Sequence, residues 1–340
     1  MTSTTRISDV ATAAGVSVGT VSNVLNRPHL VATSTRERVV ATIARLGFVR
    51  NESARQLRAG FSRAIGLVVI DAANPFFSDV ARGVEDAVQD FGGVVLLGNS
   101  AGEESRERRY LELFEEQRVR GVLVAPVGDV DPALGALTRL GIPVVFLDHN
   151  TDDSAYSSVS VDDVTGGRIA ATHLIAQGHR RIAFVGGPSS LRQVRDRREG
   201  AESVIEATAG ALLLAISTRG LTAAAGRQAA EDLVFLPSDH RPTAVFAAND
   251  LIAIGLLQGL SAHGLRVPDD VAIVGYDDIE FAATAAVPLS SIRQPRAELG
   301  RRGAELLFEE ITARESAGAD EHQHQHQRFQ PELVVRMSSA

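Results

Sequence analysis

The sequence predicts a small all-α head of the helix-turn-helix type, followed by a larger α/β body made of two Rossmann-like parallel-sheet lobes. Three observations predict it. Residues 1–60 hold eight arginines against three acids, net +5, whereas the rest of the chain holds 26 arginines against 39 acids, net −13. Within the first 50 residues, short helical periodicities are broken at Gly15 and Gly47. From residue 64 onward, apolar runs of four to seven residues alternate with helical segments, the pattern of parallel sheets covered by helices on both faces.

Composition narrows the function classes. A chain of 340 residues that is 44% hydrophobic has room for a DNA-reading unit plus one or two α/β units. The absence of cysteine excludes disulfides, thiolate metal sites and cysteine nucleophiles. The longest apolar runs, such as residues 211–216, are far shorter than the roughly 20 residues a bilayer span needs. The opening stretch MTSTTRISDVATAAG has no basic-then-apolar export pattern, so a cytoplasmic protein with no membrane partner is expected. A basic head on an acidic body is the electrostatic footprint of DNA binding confined to one end.

In the head, Ile7, Val10, Ala11 and Ala14 share one helical face, and Gly15 suits a helix stop. Ser17 is a good N-cap for a second helix in which Val21, Val24 and Leu25 point inward. That leaves Val18, Gly19, Thr20, Ser22, Asn23 and Asn26 outward, a small polar face without the Glu and Arg of an ordinary solvent face. Helix, glycine turn, helix is the helix-turn-helix, with the second helix read as the one entering the major groove. Asn23 can pair with an adenine edge, Val18 can meet a thymine methyl, and Gly19 lets the backbone approach. A third helix, at about 34–46, is expected to turn Val39, Val40, Ile43 and Leu46 inward. Beyond it, residues 51–60 form a short basic segment around Leu57 and Arg58. Leu57 has two readings: a linker leucine packed on the body, or an apolar wedge between base pairs in the minor groove.

In the body, nine strand-like runs begin with AIGLVVI and end with VAIVGYDD, and helices are expected at 77–91, 103–118, 132–140 and 163–177. Nine strands exceed one comfortable sheet, hence two lobes. Ligands of such folds bind beyond the carboxyl ends of the strands. The residues there are Asp71, Asn74, Phe76, Phe77, Asp148, Asn249, Asp250, Asp277 and Asp278. Carboxylates and amides satisfy hydroxyls and aromatic faces cover C–H surfaces, which suits a polyhydroxylated ligand, although Asp and Asn at these places also cap helices.

Other motifs carry less. Residues 15–19 match G-x-S-x-G, but a helix precedes the serine where a nucleophile elbow needs a strand. His322, His324 and His326 would share one face of a strand, yet no carboxylate or cysteine completes a metal site, so a polar edge strand is expected and no metal. No G-x-G-x-x-G follows a strand, and neither a P-loop nor a zinc-helix motif is present, which argues against an enzyme and calls for no cofactor. A secreted sugar-binding protein would fit the body alone, but not the basic head.

Asp9-Val10-Ala11, Ala14-Gly15-Val16-Ser17, Thr20-Val21-Ser22, Val24-Leu25-Asn26, Thr35-Arg36 and Ala54-Arg55-Gln56-Leu57 resemble the headpiece and hinge of the lactose-repressor (LacI) family. Asn74-Pro75-Phe76-Phe77, Gly178-His179-Arg180-Arg181-Ile182, Arg195 with Gly200, Ala247-Ala248-Asn249-Asp250, Val274-Gly275-Tyr276-Asp277-Asp278, Arg293-Gln294-Pro295 and Pro331-Glu332-Leu333-Val334 resemble its periplasmic binding protein-like body. The resemblance implies a ligand-responsive repressor of a carbohydrate-related operon, acting as a homodimer on palindromic double-stranded DNA, with a sugar or sugar derivative between the lobes. It implies DNA contacts from Val18, Gly19, Thr20, Ser22, Asn23, Asn26, Leu57 and Arg58. It implies effector contacts from Asn74, Phe76, Phe77, Asp148, Arg195, Asn249, Asp277 and Gln294, with Arg195 forking onto ligand oxygens. Asp162-Asp163 stand where the family has Asp-Asn, Ala201 replaces a phenylalanine, and Ala32 replaces a serine cap. Three lobe crossings place the head at 1–49, a hinge and linker at 50–62, lobe one at 63–160 plus 293–323, and lobe two at 161–292 plus 324–340.

Overall fold

The computed structural model of the chain describes residues 5–48, 62–128, 132–149, 151, 155–317 and 323–340. The chain divides into two compact units, residues 1–61 and 62–340.

The described residues of the first unit are helical: α1 (Ile7–Ala14), α2 (Val18–Asn26) and α3 (Thr33–Leu46), with a 3-10 turn, Pro28–Leu30, before α3. At the start of α1 the Arg6 backbone N–H donates to Asp9 Oδ2 at 2.8 Å. Gly15 ends α1 at φ +64°, a left-handed conformation cheap only for glycine. Ser17 Oγ then accepts from the Thr20 N–H at 3.0 Å, which fixes where α2 begins. Ala32 occupies the N-cap of α3 and makes no side-chain cap bond. Val10, Ala11, Ala14, Val21, Val24 and Val39 form the small core. Val40, expected inward, is 53% exposed. The inward stripe runs Val39, Thr42, Ile43, Leu46, and Val40 lies about 100° round the helix from Val39. Thr42 is buried because its hydroxyl returns to the Arg38 carbonyl at 2.8 Å.

The second unit contains two six-stranded sheets. The first holds β1 (Ala64–Val69), β2 (Val94–Asn99), β3 (Gly121–Val124), β4 (Val144–Leu147), β5 (Ser157–Val161) and β11 (His326–Phe329). They lie in the order β11-β5-β4-β3-β1-β2, and every pairing is parallel. Its helices are α4 (Pro75–Asp90), α5 (Glu104–Glu116), α6 (Pro132–Arg139) and α12 (Arg296–Ala317). The second sheet holds β6 (Arg181–Gly186), β7 (Leu212–Ser217), β8 (Ala244–Ala247), β9 (Ala272–Asp277), β10 (Ser290–Arg293) and β12 (Glu332–Val334). Its order is β12-β10-β9-β8-β6-β7, parallel except where β12 meets β10. Helices α7 (Asp163–Ala176), α8 (Arg192–Glu206), α9 (Ala223–Val234), α10 (Asp250–Ala262) and α11 (Glu280–Thr284) accompany it.

Three strands lie outside the nine expected from apolar runs. β10, β11 and β12 are only three or four residues long and rich in Ser, Arg, His, Gln and Glu, so hydrophobicity does not reveal them. β11 also moves the third crossing. His326 to Phe329 pair with Ser158 to Val161 in the first sheet, so the chain returns to the second lobe only after Phe329, not at residue 324.

Helices α4 and α12 pack backbone to backbone through glycines. A Cβ on Gly83 would run into the Ala297 carbonyl, and one on Gly300 into the Val80 carbonyl. Gly83→Ala and Gly300→Ala should each destabilise the body by about 1–3 kcal/mol, as overpacking does, measured by urea unfolding. Wild-type midpoints in both variants would contradict this packing.

Candidate functional site

In each sheet the strand order reverses once, between β1 and β3 and between β6 and β8, and the crevice at such a switch lies beyond the carboxyl ends. Asn74 follows β1, Asp148 follows β4, Asn249 follows β8, Asp277 ends β9 and Gln294 follows β10. Two of these carboxylates sit on strained backbone, Asp148 at φ +51° and Asp277 at φ +101°, with Asp278 at φ +53° beside it. Each such residue costs on the order of 1–3 kcal/mol, and strain of this kind gathers at binding and catalytic sites.

These groups join the lobes. From α8 in lobe two, Gln193 Nε2 donates to the Asp148 carbonyl at 3.0 Å and to Asp148 Oδ2 at 2.9 Å in lobe one. Gln294 Nε2 donates to Asp277 Oδ1 at 2.8 Å, and the Asn74 side chain hydrogen-bonds the same carboxyl. Arg296, at the start of α12, donates to the Asp277 carbonyl at 2.7 Å and to Asp79 Oδ2 at 2.8 Å.

Arg197 stands at the centre, 3% exposed. Its Nε donates to Asp163 Oδ1 at 2.8 Å, and its Nη1 donates to the Ala248 carbonyl at 2.8 Å and lies 3.8 Å from Asp277 Oδ1. The guanidinium carbon lies 3.7 Å from the centre of the Tyr276 ring, a cation–π contact. Gly166 makes room for this stack, since a Cβ there would collide with the Tyr276 hydroxyl.

The electrostatics follow from burial and crowding. Burial first, then the neighbouring Asp163 charge, pushes the Asp148 carboxyl up to about 8, against the pull of Arg197. Burial also raises Asp277 to about 6, opposed by Arg197 and by hydrogen bonds from Gln294 and Asn74. For Arg197 burial works against the charge, but Asp163, Tyr276, Asp277 and Asp148 together hold it above its ordinary value. Asp278 is held below the usual carboxylate range: burial opposes this, and Arg336 and Arg293, at 2.7 Å each, overcome it.

The structure thus brings Asn74, Asp148, Asp277 and Gln294 together and redistributes the rest. Arg195 points outward and donates to the carbonyls of Ser189 and Ser190 at 2.7 and 3.0 Å, so Arg197 takes the place expected of it. Helical spacing carried the signal: Gln193, Arg197, Gly200 and Ala201 share the buried face of α8. Asp162 caps α7 through the Thr165 N–H at 2.9 Å, whereas Asp163 faces Arg197. Asn249 caps α10, accepting from the Ile252 N–H at 3.0 Å, and donates to the Leu221 carbonyl at 3.1 Å, so both arms of its amide are engaged. Phe76 and Phe77, expected as exposed aromatics, are buried in the core and meet edge to face at 4.9 Å. The histidine segment does meet a carboxylate, supplied by α12 to His324 just before β11. Glu310 is buried on α12, with its Oε1 3.0 Å from His324 Nδ1 and 2.5 Å from Ser157 Oγ. Among the described residues no group of three or more His, Cys, Asp or Glu is placed to hold a metal ion.

On the head, Val18, Gly19, Asn23 and Asn26 are exposed on α2, with Thr20 and Ser22 half-buried. Thr20 shares a hydrogen bond with Ser17 Oγ at 2.9 Å, and Asn26 Nδ2 donates to the Ser22 carbonyl at 2.9 Å. The Asn23 amide has no hydrogen-bond partner among the described residues, which leaves it open to an outside group. Leu57, Arg58 and His322 lie outside the described residues.

The profile of bacterial regulatory proteins of the lacI family matches residues 6–51, and that of the periplasmic binding protein-like domain matches residues 171–339. The chain is 32% identical over 335 residues to the HTH-type transcriptional repressor PurR of Aliivibrio fischeri, covering 98% of this chain and 97% of that protein. It is 38% identical over 302 residues to the ribose operon repressor of Bacillus subtilis, covering 89% and 90%. A crystal structure of the lac repressor dimer bound to operator and the anti-inducer ONPF superposes with a TM-score of 0.81 at 27% identity, covering 98% of this chain and 99% of that one.

Raised carboxyl pKa values make stability depend on pH. With Asp148 near 8 and Asp277 near 6 when folded, and both near 3.8 when unfolded, the folded chain holds more protons across that window. The stability they contribute is fully present below about pH 4 and is lost as pH rises through 6 and then 8. The melting temperature without ligand should therefore fall from pH 5 to pH 9, and Asp148→Asn should flatten the fall between pH 6 and 8. Parallel curves for parent and variant would overturn the assignment.

Proposed function

Because the chain belongs to the lacI family of bacterial regulatory proteins, we propose that α2 of the head reads a palindromic operator while the lobe junction binds a sugar or sugar derivative that sets operator affinity. The chain is a ligand-responsive, DNA-binding transcriptional regulator, and its relatives are repressors, not enzymes.

The observation that carries the effector half is the cross-lobe ring of Asn74, Asp148, Gln193, Asp277 and Gln294 around Arg197. Acceptors and amides converge there from both lobes, as recognition of several hydroxyls requires. Sugar is favoured over other small ligands because these groups are acids and amides, and because one relative is a ribose operon repressor. The ligand changes operator affinity only through its differential affinity for the DNA-bound and free forms.

A homodimer fits the two edges of the body. β2 and β7 are outermost strands, and they expose Val94, Leu97, Leu212 and Leu214. Bare apolar edges of this kind are covered in stable proteins, and a palindrome calls for two-fold symmetry. The reading that places Leu57 in the minor groove and gives Arg58 a DNA contact rests on the family resemblance alone.

Selection of random double-stranded DNA by the full chain, repeated with neutral sugars led by D-ribose, tests the proposal. It should enrich one palindrome, and one sugar should change its affinity at least tenfold. Asn23→Ala should relax preference at one position per half-site by about 1–3 kcal/mol, because its free amide suits a base edge. No enrichment with the parent, or unchanged selectivity in the variant, would contradict the assignments.

A further inference from the structure

We propose that Asp163 is a specificity-determining residue of the lobe junction: by pairing with Arg197 it leaves the site, among the described residues, with hydrogen-bond acceptors in excess and no free cation, so the effector must donate hydrogen bonds and carry no negative charge. This rests on the reading of the junction as the effector site, and adds which chemical class the site admits.

Three observations carry it. First, each guanidinium at the junction is already engaged. Arg197 binds Asp163 and the Ala248 carbonyl, Arg296 binds Asp79 and the carbonyls of Asp277 and Asp278, and Arg293 and Arg336 both bind Asp278. Second, the buried side-chain atoms left without a partner include the amide acceptor Gln294 Oε1 and, on a second chain segment bordering the junction, Asp148 Oδ1, which accepts once its carboxyl is ionised. A buried acceptor without a donor is costly, and a ligand hydroxyl or N–H would relieve it. Third, Asp148, Asp163 and Asp277 gather around Arg197, three carboxyls to one guanidinium, and the Asp163 charge is among the causes that hold the Asp148 carboxyl up to about 8. A phosphate or carboxylate entering here would meet like charge in a medium that screens poorly, and would have to displace Asp163 to reach Arg197.

Asp163 acts through Arg197, which makes it a positioning residue whose removal changes selectivity as well as stability. Asn at this position keeps the shape and an acceptor for Arg197 Nε but gives up the negative charge, which frees the guanidinium charge to attract an anion.

The test is isothermal titration calorimetry of the full chain against matched pairs: D-ribose with ribose 5-phosphate, and D-glucose with glucose 6-phosphate and glucuronate. The parent should bind a neutral member at least a hundredfold more tightly than its anionic partner. Asp163→Asn, shown to be folded by its melting curve, should shrink that ratio at least tenfold. Equal binding of a neutral sugar and its anionic partner by the parent overturns the Asp163 proposal and leaves the sugar-sensor reading standing; this arm holds even if the variant does not fold. An unchanged ratio in a folded Asp163→Asn variant also overturns it. Binding of no sugar, neutral or anionic, overturns both readings together.

Discussion

Arg197 is buried where both lobes end, with its guanidinium on the Tyr276 ring and its Nε on Asp163. Taking a cation out of water costs several kcal/mol, so the arrangement holds only while every partner is in place. Much of the surrounding design follows from that requirement. Gly166 has no side chain because Tyr276 must fit there, and Gly200 and Gly167 let α7 and α8 approach closely enough for Asp163 to reach Arg197. The Ala248 carbonyl is turned toward Arg197 at the end of β8, where Asn249 caps the next helix.

The same pair sets the chemistry of its neighbours. Asp148 and Asp277 face one arginine that Asp163 already holds, so burial and mutual repulsion raise both carboxyls. Strained backbone at Asp148 and Asp277 has the same character: stability is given up locally to aim two carboxyls inward. Such a site gains from a ligand that supplies the missing donors. The lobes meet through those same side chains, so a ligand there is placed to bias how they are held, which is what a regulator of DNA affinity needs.

Much of this was legible in the sequence where period and position carry physical information. Apolar runs mark nine of the twelve strands among the described residues, and strand ends point to Asn74, Asp148 and Asp277. The small polar face of α2 was visible because Glu and Arg are absent from it. What was not legible depends on contacts distant in sequence. Glu310 meets His324 only because β11 adds to the edge of the first sheet, and that strand is too short and polar to stand out. Asn249 caps α10, a role its place after a strand does not separate from effector contact, since both favour an amide there. Arg195 and Arg197 differ only in which side of α8 they occupy. The family motif points to the first, and helical spacing from Gln193 points to the second.

In the proposed regulator the lobe junction, not the head, receives the signal that the head transmits to DNA. Fluorescence anisotropy of labelled operator DNA, with the full chain and its Asp277→Asn variant, with and without the most effective sugar, tests it most directly. Asn tolerates the left-handed backbone at this position and removes only the charge. The variant is expected to bind operator within about twofold of the parent and to lose at least tenfold of its sensitivity to the sugar. A variant that responds to the sugar as the parent does would contradict it.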